Sequence, residues 1–201
     1  AQTVCINTPI STITYSVYGC ATTATITGLP SGVTGNYSYD NNAHLGTVTI
    51  SGTPDLTNAA GTFTYTVTAH GLCVDAVATG TITVTGNSTI SLNTPGTDNQ
   101  TICFNSAINP IVYNLGGSAN GAVISYGSLP PGVIGEYDDN TNTYTISGTP
   151  TLAGTYTFIV TTTGPCVNVS ASQGSITVNP TPMATITGTT TVCQGATAPT
   201  V

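Results

Sequence analysis

The residues of this chain best suited to covalent chemistry are six cysteines, and four of them sit on a repeating pattern. Cys5 follows Gln2-Thr3-Val4 and Cys103 follows Gln100-Thr101-Ile102, while Cys73 follows Gly71-Leu72 and Cys166 follows Gly164-Pro165. A pair that returns at matching places in a small domain reads as one disulfide per copy, Cys5–Cys73 and Cys103–Cys166, formed in an oxidising compartment. Each bridge would close a loop of about 65 residues, worth ~4 kcal/mol on the chain-entropy account. Zinc is the competing use of such thiols, but there is no Cys-x-x-Cys step and no Cys/His cluster. Cys193 repeats only the first half of the pattern, and Cys20 has Ser118 at its place in the second copy. Both are expected to be unpaired within this chain, Cys20 as a buried thiol or as one half of an inter-chain bridge.

Two histidines are present, His44 and His70, and neither recurs. His70, Asp75 and a serine could be assembled into a hydrolytic triad, but no nucleophile-elbow sequence accompanies them. Surface histidines and no enzyme are the expectation. Glu136, Asp138 and Asp139 place three carboxylates within four residues, a possible calcium set, since calcium takes six to eight oxygens. The plainer use of that stretch, and of Asp40-Asn41-Asn42, is a hairpin turn in which Asp and Asn cap backbone groups. No cofactor other than calcium is indicated.

Charge narrows the partners further. The chain has no lysine or arginine and a formal charge of −7 in 201 residues. Nucleic-acid binding needs cations to displace phosphate counterions, and attraction to anionic lipid needs basic clusters, so neither partner is expected. Only 3% of residues are charged, against roughly 25% in ordinary soluble domains. With 39% apolar residues the chain can still bury a core, and threonine, over a fifth of the sequence, must supply much of the polar surface. No apolar run approaches the roughly 20 residues of a spanning helix.

The elements that would position these groups are strands. Thr62 to Thr68 alternates threonine with Phe63, Tyr65 and Val67, and Thr81 to Thr85 alternates it with Ile82 and Val84. Period two with apolar residues on one side is a half-buried antiparallel strand. Turn signals separate the strands: Leu29-Pro30-Ser31-Gly32, Ser51-Gly52-Thr53-Pro54 and Asp138-Asp139-Asn140. The whole arrangement returns. Leu129-Pro130-Pro131-Gly132, Thr145-Ile146-Ser147-Gly148-Thr149-Pro150 and Gly154-Thr155-Tyr156-Thr157-Phe158 echo Leu29–Gly32, Thr49–Pro54 and Gly61–Tyr65. A period above 90 residues is a domain rather than a solenoid unit. The fold class expected is all-β: tandem two-sheet antiparallel sandwiches, one disulfide each, over residues 1–86 and 87–180, with 181–201 opening a third. Copy one then lacks the first strand that Thr89-Ile90-Ser91-Leu92 gives copy two.

The set Gly28-Leu29-Pro30-Ser31-Gly32-Val33, Thr49-Ile50-Ser51-Gly52-Thr53-Pro54 and Gly61-Thr62-Phe63-Thr64-Tyr65-Thr66-Val67 resembles the Ig-like repeats of bacterial surface proteins. With Gly96-Thr97-Asp98-Asn99-Gln100-Thr101-Ile102-Cys103 ahead of it, the pattern is similar to tandem repeats of very large Bacteroidota proteins, among them gliding adhesins exported by the type IX pathway. The tail from Ala184 to Gln194 resembles the start of a PKD-like repeat of the same proteins. The resemblance implies an Ig-like fold, an extracellular or cell-surface location and a structural or adhesive role, stalk or spacer, in a secreted protein or filament. The alternative is a module binding calcium or a glycan through loops at one sandwich end. The expected partners are neighbouring repeats or head-to-tail copies of the chain, and the chain is expected to be an internal piece of a larger exported protein.

Overall fold

The computed structural model describes residues 1–55, 60–71 and 74–183, and within them every regular element is a strand. Copy one contributes β1 (Gln2–Cys5), β2 (Ile13–Val17), β3 (Ala21–Thr27), β4 (Val33–Asp40), β5 (Leu45–Gly52), β6 (Gly61–Gly71) and β7 (Ala76–Thr85). Copy two contributes β8 (Thr89–Leu92), β9 (Asn99–Cys103), β10 (Ile111–Gly116), β11 (Gly121–Gly127), β12 (Val133–Asp138), β13 (Thr143–Gly148), β14 (Gly154–Thr163) and β15 (Gly174–Asn179).

Each copy builds two sheets. In copy one they run β1-β7-β6-β3 and β2-β5-β4; in copy two, β9-β15-β14-β11 and β8-β10-β13-β12. All pairings are antiparallel except β1 with β7 and β9 with β15, which are parallel. Two apolar clusters, sharing no residue, fill the two sandwiches: one around Val48, Ile50, Tyr65 and Ile82, the other around Ile111, Ile146, Phe158 and Ile176. These positions are the alternate residues of the threonine-rich strands. Each fully buried Val, Ile or Phe contributes roughly 1.5–3 kcal/mol. On the outer faces threonine hydroxyls meet across strands, Thr62 with Thr83 at 3.1 Å and Thr155 with Thr177 at 3.3 Å, doing the polar work that charges do elsewhere.

The repeated turn motifs meet each other. Val33 N–H donates to the Pro30 carbonyl, closing the Leu-Pro-x-Gly turn, and Thr53 N–H then donates to the Gly32 carbonyl at 3.0 Å. Copy two repeats both bonds, Val133 to Pro130 and Thr149 to Gly132. The crossing strand segments tie to the same place, Ile10 N–H to Gly52 O and Ile108 N–H to Gly148 O, each at 3.0 Å. Gly148 holds φ 137°, and a Cβ there would fall on the Gly132 carbonyl oxygen. Glycine is therefore required twice over, by torsion and by space.

The two cores differ at one aromatic pair. In copy one the Tyr15 and Tyr65 hydroxyls share a hydrogen bond of 2.8 Å, their rings edge to face. Copy two has Tyr113 and Phe158 there, and the buried Tyr113 hydroxyl finds no partner among the described residues. Burial, aided by the bond to Tyr15, pushes the Tyr65 pKa up to about 12. Burial and then the nearby Asp98 carboxylate push Tyr113 up to about 12 as well.

Two expectations follow from this packing. Gly148→Ala should lose about 3 kcal/mol or more in urea unfolding, from strain plus collision. Gly96→Ala, at φ 85° with open space around it, should lose only about 1–2 kcal/mol. The folded tyrosine pKa values lie above the unfolded value of 10.0, so the neutral phenols support the fold fully below that pH. That support drains away between 10.0 and about 12. Alkaline titration should therefore show a late tyrosinate absorbance step coinciding with loss of β-sheet signal, undistorted because the chain has no tryptophan.

Candidate functional site

The most specific chemistry in the structure lies at the joint between the copies. β1 ends at Cys5, which its parallel pairing sets opposite Thr85, the last residue of β7. Ile6 N–H donates to the Thr85 carbonyl at 2.9 Å. Only Gly86, Asn87 and Ser88 then separate β7 from β8. Ser88 is buried; its N–H donates to the Val167 carbonyl at 2.9 Å, and its Oγ lies 3.2 Å from Ser118 Oγ and 3.3 Å from Asn168 Oδ1. Gly117, at φ 64°, lies so close to the Asn87 carbonyl that a Cβ would fall on it. The linker is thus laid against copy two rather than left in solvent.

A disulfide crosses this joint. Cys5 is bonded to Cys166, 161 positions further along the chain, with the Cα atoms 5.6 Å apart. On the chain-entropy account a loop of that length contributes about 5 kcal/mol. The expected pairs Cys5–Cys73 and Cys103–Cys166 are therefore corrected: Cys5 and Cys166 belong to each other. Strand length gives the reason. Cys103 stands opposite Asn179 at one end of the β14–β15 hairpin, whereas Cys166 follows the far end of β14. Ten residues of strand at ~3.3 Å each hold those thiols about 30 Å apart, far beyond the ~7 Å that a disulfide spans between Cα atoms. Cys103 is exposed and has no disulfide partner among the described residues. Cys73 and Cys193 lie outside the described residues; Cys20 is exposed at the β2–β3 turn, not buried.

The histidine, the aspartate and a hydroxyl do meet, but the hydroxyl is a threonine. His70 Nδ1 lies 2.8 Å from Asp75 Oδ2, and its Nε2 lies 2.9 Å from Thr25 Oγ1 on the neighbouring strand. That is the order of an acid–base–hydroxyl relay. Yet His70 and Asp75 are 38% and 48% exposed on an open sheet face, and the groove beside β2 is lined by neither Thr25 nor His70. In copy two the matching places hold Val123 and Thr163. The trio is a cross-strand surface contact peculiar to copy one. His44 sits at φ 49° in the β4–β5 hairpin, the turn position that Asn142 takes in copy two.

The carboxylates also act in turns. Asp138 Oδ1 accepts from the Asn140 backbone N–H at 2.9 Å, and Asp139 Oδ1 from the Asn140 side chain at 3.3 Å. The Asn140 backbone bond, with help from the Thr141 and Asn140 side chains, holds the Asp138 carboxyl below its ordinary range. Asp40 caps Asn42 and Ala43 in the same way. Glu136 does not join Asp138 and Asp139 in a ligand set, and no group of three His, Cys, Asp or Glu side chains is placed to hold a metal among the described residues. Sequence reading missed Ser88, Ser118 and Asn168. The one available signal was Ser118 standing in for Cys20.

No family model matches the sequence, and no curated protein matches it. Solved structures do. An I-band fragment of titin superimposes over 90% of this chain and 62% of its own, with a TM-score of 0.58 and 12% identity. The Protocadherin GammaB4 extracellular domain superimposes over 88% of this chain and 31% of its own, with a TM-score of 0.52 and 11% identity. The fold is Ig-like. Copy two has the ABED and CFG sheets of that architecture, with β9 as an additional strand beside the last. The chain spans less than two thirds of either structure, and at these identities the fold alone is shared.

Non-reducing peptide mapping with a protease other than trypsin should recover a Cys5–Cys166 cross-link, and Cys103 should alkylate in the native protein. A Cys103–Cys166 peptide in its place would overturn the assignment.

Proposed function

We propose that this chain is a non-catalytic structural and adhesive stalk segment of a large exported protein, of the Bacteroidota surface or filament kind its motifs resemble. In this reading residues 1–86 and 87–180 are successive Ig-like repeats, 181–201 opens the next, and the location is extracellular. The observation that carries it is the covalent joint. A short docked linker and a disulfide attach one sandwich to the next at two points, so the joint resists bending as a spacer must. A structural disulfide also suits an oxidising exterior, and the threonine-covered, cation-free surface suits one rich in trypsin-like proteases.

Cys103 stands at the position of Cys5, at the end of the strand paired parallel to the last one. The same staple would therefore run from copy two to the Cys166-type residue of a following repeat, making neighbouring repeats the natural partner. Two measurements test the reading. X-ray scattering should show a rod of fixed length for the native chain. The Cys5→Ser/Cys166→Ser variant should broaden toward bent shapes while keeping its β-sheet spectrum; an unchanged profile would remove the joint from the argument. Calcium calorimetry and a glycan array should show nothing tighter than millimolar, and tighter binding through the loops would make the chain a ligand-binding module instead.

A further inference from the structure

Two differences between the copies meet on one side of copy two. In copy one Ala78 and Gly80 of β7 stand opposite Val67 and Tyr65, with Thr79 between them. In copy two the Ala171 N–H donates to the Val160 carbonyl at 2.9 Å and Gly174 pairs with Phe158. Ser172 and Gln173 therefore stand where copy one has a single residue. That is a β-bulge, a device that re-aims side chains and is common beside functional sites. The second difference is Phe158 itself, which leaves the buried Tyr113 hydroxyl without the partner that Tyr65 gives Tyr15. Between the bulge and β8 opens a cleft of 290 Å³ whose walls include Ile90, Leu92, Asp98, Tyr113, Ala171 and Ser172.

Asp98 gives the cleft its chemistry. It is only 9% exposed. Its Oδ1 accepts from Asn99 Nδ2 at 3.1 Å, the one bond its side chain makes among the described residues. A carboxylate so far out of water is costly unless a cation or further donors meet it. These two repeats cannot supply the cation. They have no lysine or arginine, and both histidines belong to copy one, His70 beside Asp75. We propose that the cleft receives a primary ammonium group on an alkyl stem, the end of a lysine side chain on a partner protein. Its walls match both parts of that ligand. Ile90, Leu92 and Ala171 offer apolar surface to the methylenes, as lysine stems prefer. The Asp98 carboxylate takes the charge, and the hydroxyls of Ser91, Ser170 and Ser172 can accept from the remaining N–H groups. With Oδ1 already engaged, a compact ammonium suits this carboxylate better than the two-pronged guanidinium of arginine. A stalk so furnished would hold a basic partner along its side, and the cleft would do so even if the chain were not a stalk.

The test is an NMR titration of the full, isotope-labelled chain with n-butylammonium chloride at constant ionic strength. The amides of Ser91, Asn99 and Ser172 should shift with a dissociation constant on the order of a millimolar. Tetramethylammonium, which has the charge but no N–H, and butanol, which lacks the charge, should leave them in place. A short peptide with one lysine should reproduce the shifts, and its norleucine counterpart should not. Asp98→Asn should weaken binding about tenfold or more, the loss expected for a bond to a charged group. Ser172→Leu, which fills the cleft from an exposed position and keeps the carboxylate, should abolish binding. Asp138→Asn, in a turn outside the cleft, should change nothing. Butylammonium that shifts no cleft amide, or tetramethylammonium that binds as well, would overturn the proposal. So would a lysine peptide that fails where butylammonium binds, or binding indifferent to both Asp98→Asn and Ser172→Leu.

Discussion

The parallel pairing of β1 with β7, repeated by β9 with β15, is the constraint on which the rest of the molecule turns. It obliges the chain to run the length of the sandwich beside its own last strand. The opening strand therefore ends at the pole from which the last strand departs. Cys5 reaches the joint for that reason alone: Thr85 is its neighbour, and Cys166 lies across a three-residue linker. Among the described residues no strand lies on the outer edge of β2 in copy one, the place that β8 takes in copy two. Copy two fills both places, because β8 precedes β9.

Much of the fold was legible in the sequence. The alternation of threonine with apolar residues marks the long strands, and the inward positions Tyr65, Val67, Phe158 and Val160 are all buried. The Leu-Pro-x-Gly and Ser-Gly-Thr-Pro motifs announce turns, although nothing local says that the two turns bond to each other. The cysteine partners were not legible from pattern. A repeated pair fits a bridge within each copy and a bridge between copies equally well. What distinguishes them is the distance between the poles of a sandwich, a property of strand length rather than of cysteine spacing. That the hydroxyl beside His70 belongs to Thr25 follows from the register of β3 against β6, which sequence does not disclose.

The near absence of charge has a structural counterpart. Among the described residues the surface carries one ion-pair contact, His70 with Asp75, and depends instead on hydroxyl pairs and on Asp and Asn bonded to their own turns. Such contacts are short-range and insensitive to salt, unlike surface ion pairs, which screening weakens. Asp40, Asp138 and Asp139 all accept from N–H groups of their own turns. Binding between copies of such a chain has to come from backbone pairing, apolar contact and covalent bonds, since complementary charge is not available.

The Cys5–Cys166 bond also sets how the chain carries load. Tension applied at residue 1 passes along β1 to Cys5, crosses the disulfide, and continues from Cys166 without entering the segment between them. That segment would be roughly 500 Å long if drawn out at ~3.4 Å per residue. While the bond stands, that length is withheld, and pulling cannot unravel the first sandwich from its ends. Reduction would return it to circulation, turning an inextensible link into a shock absorber.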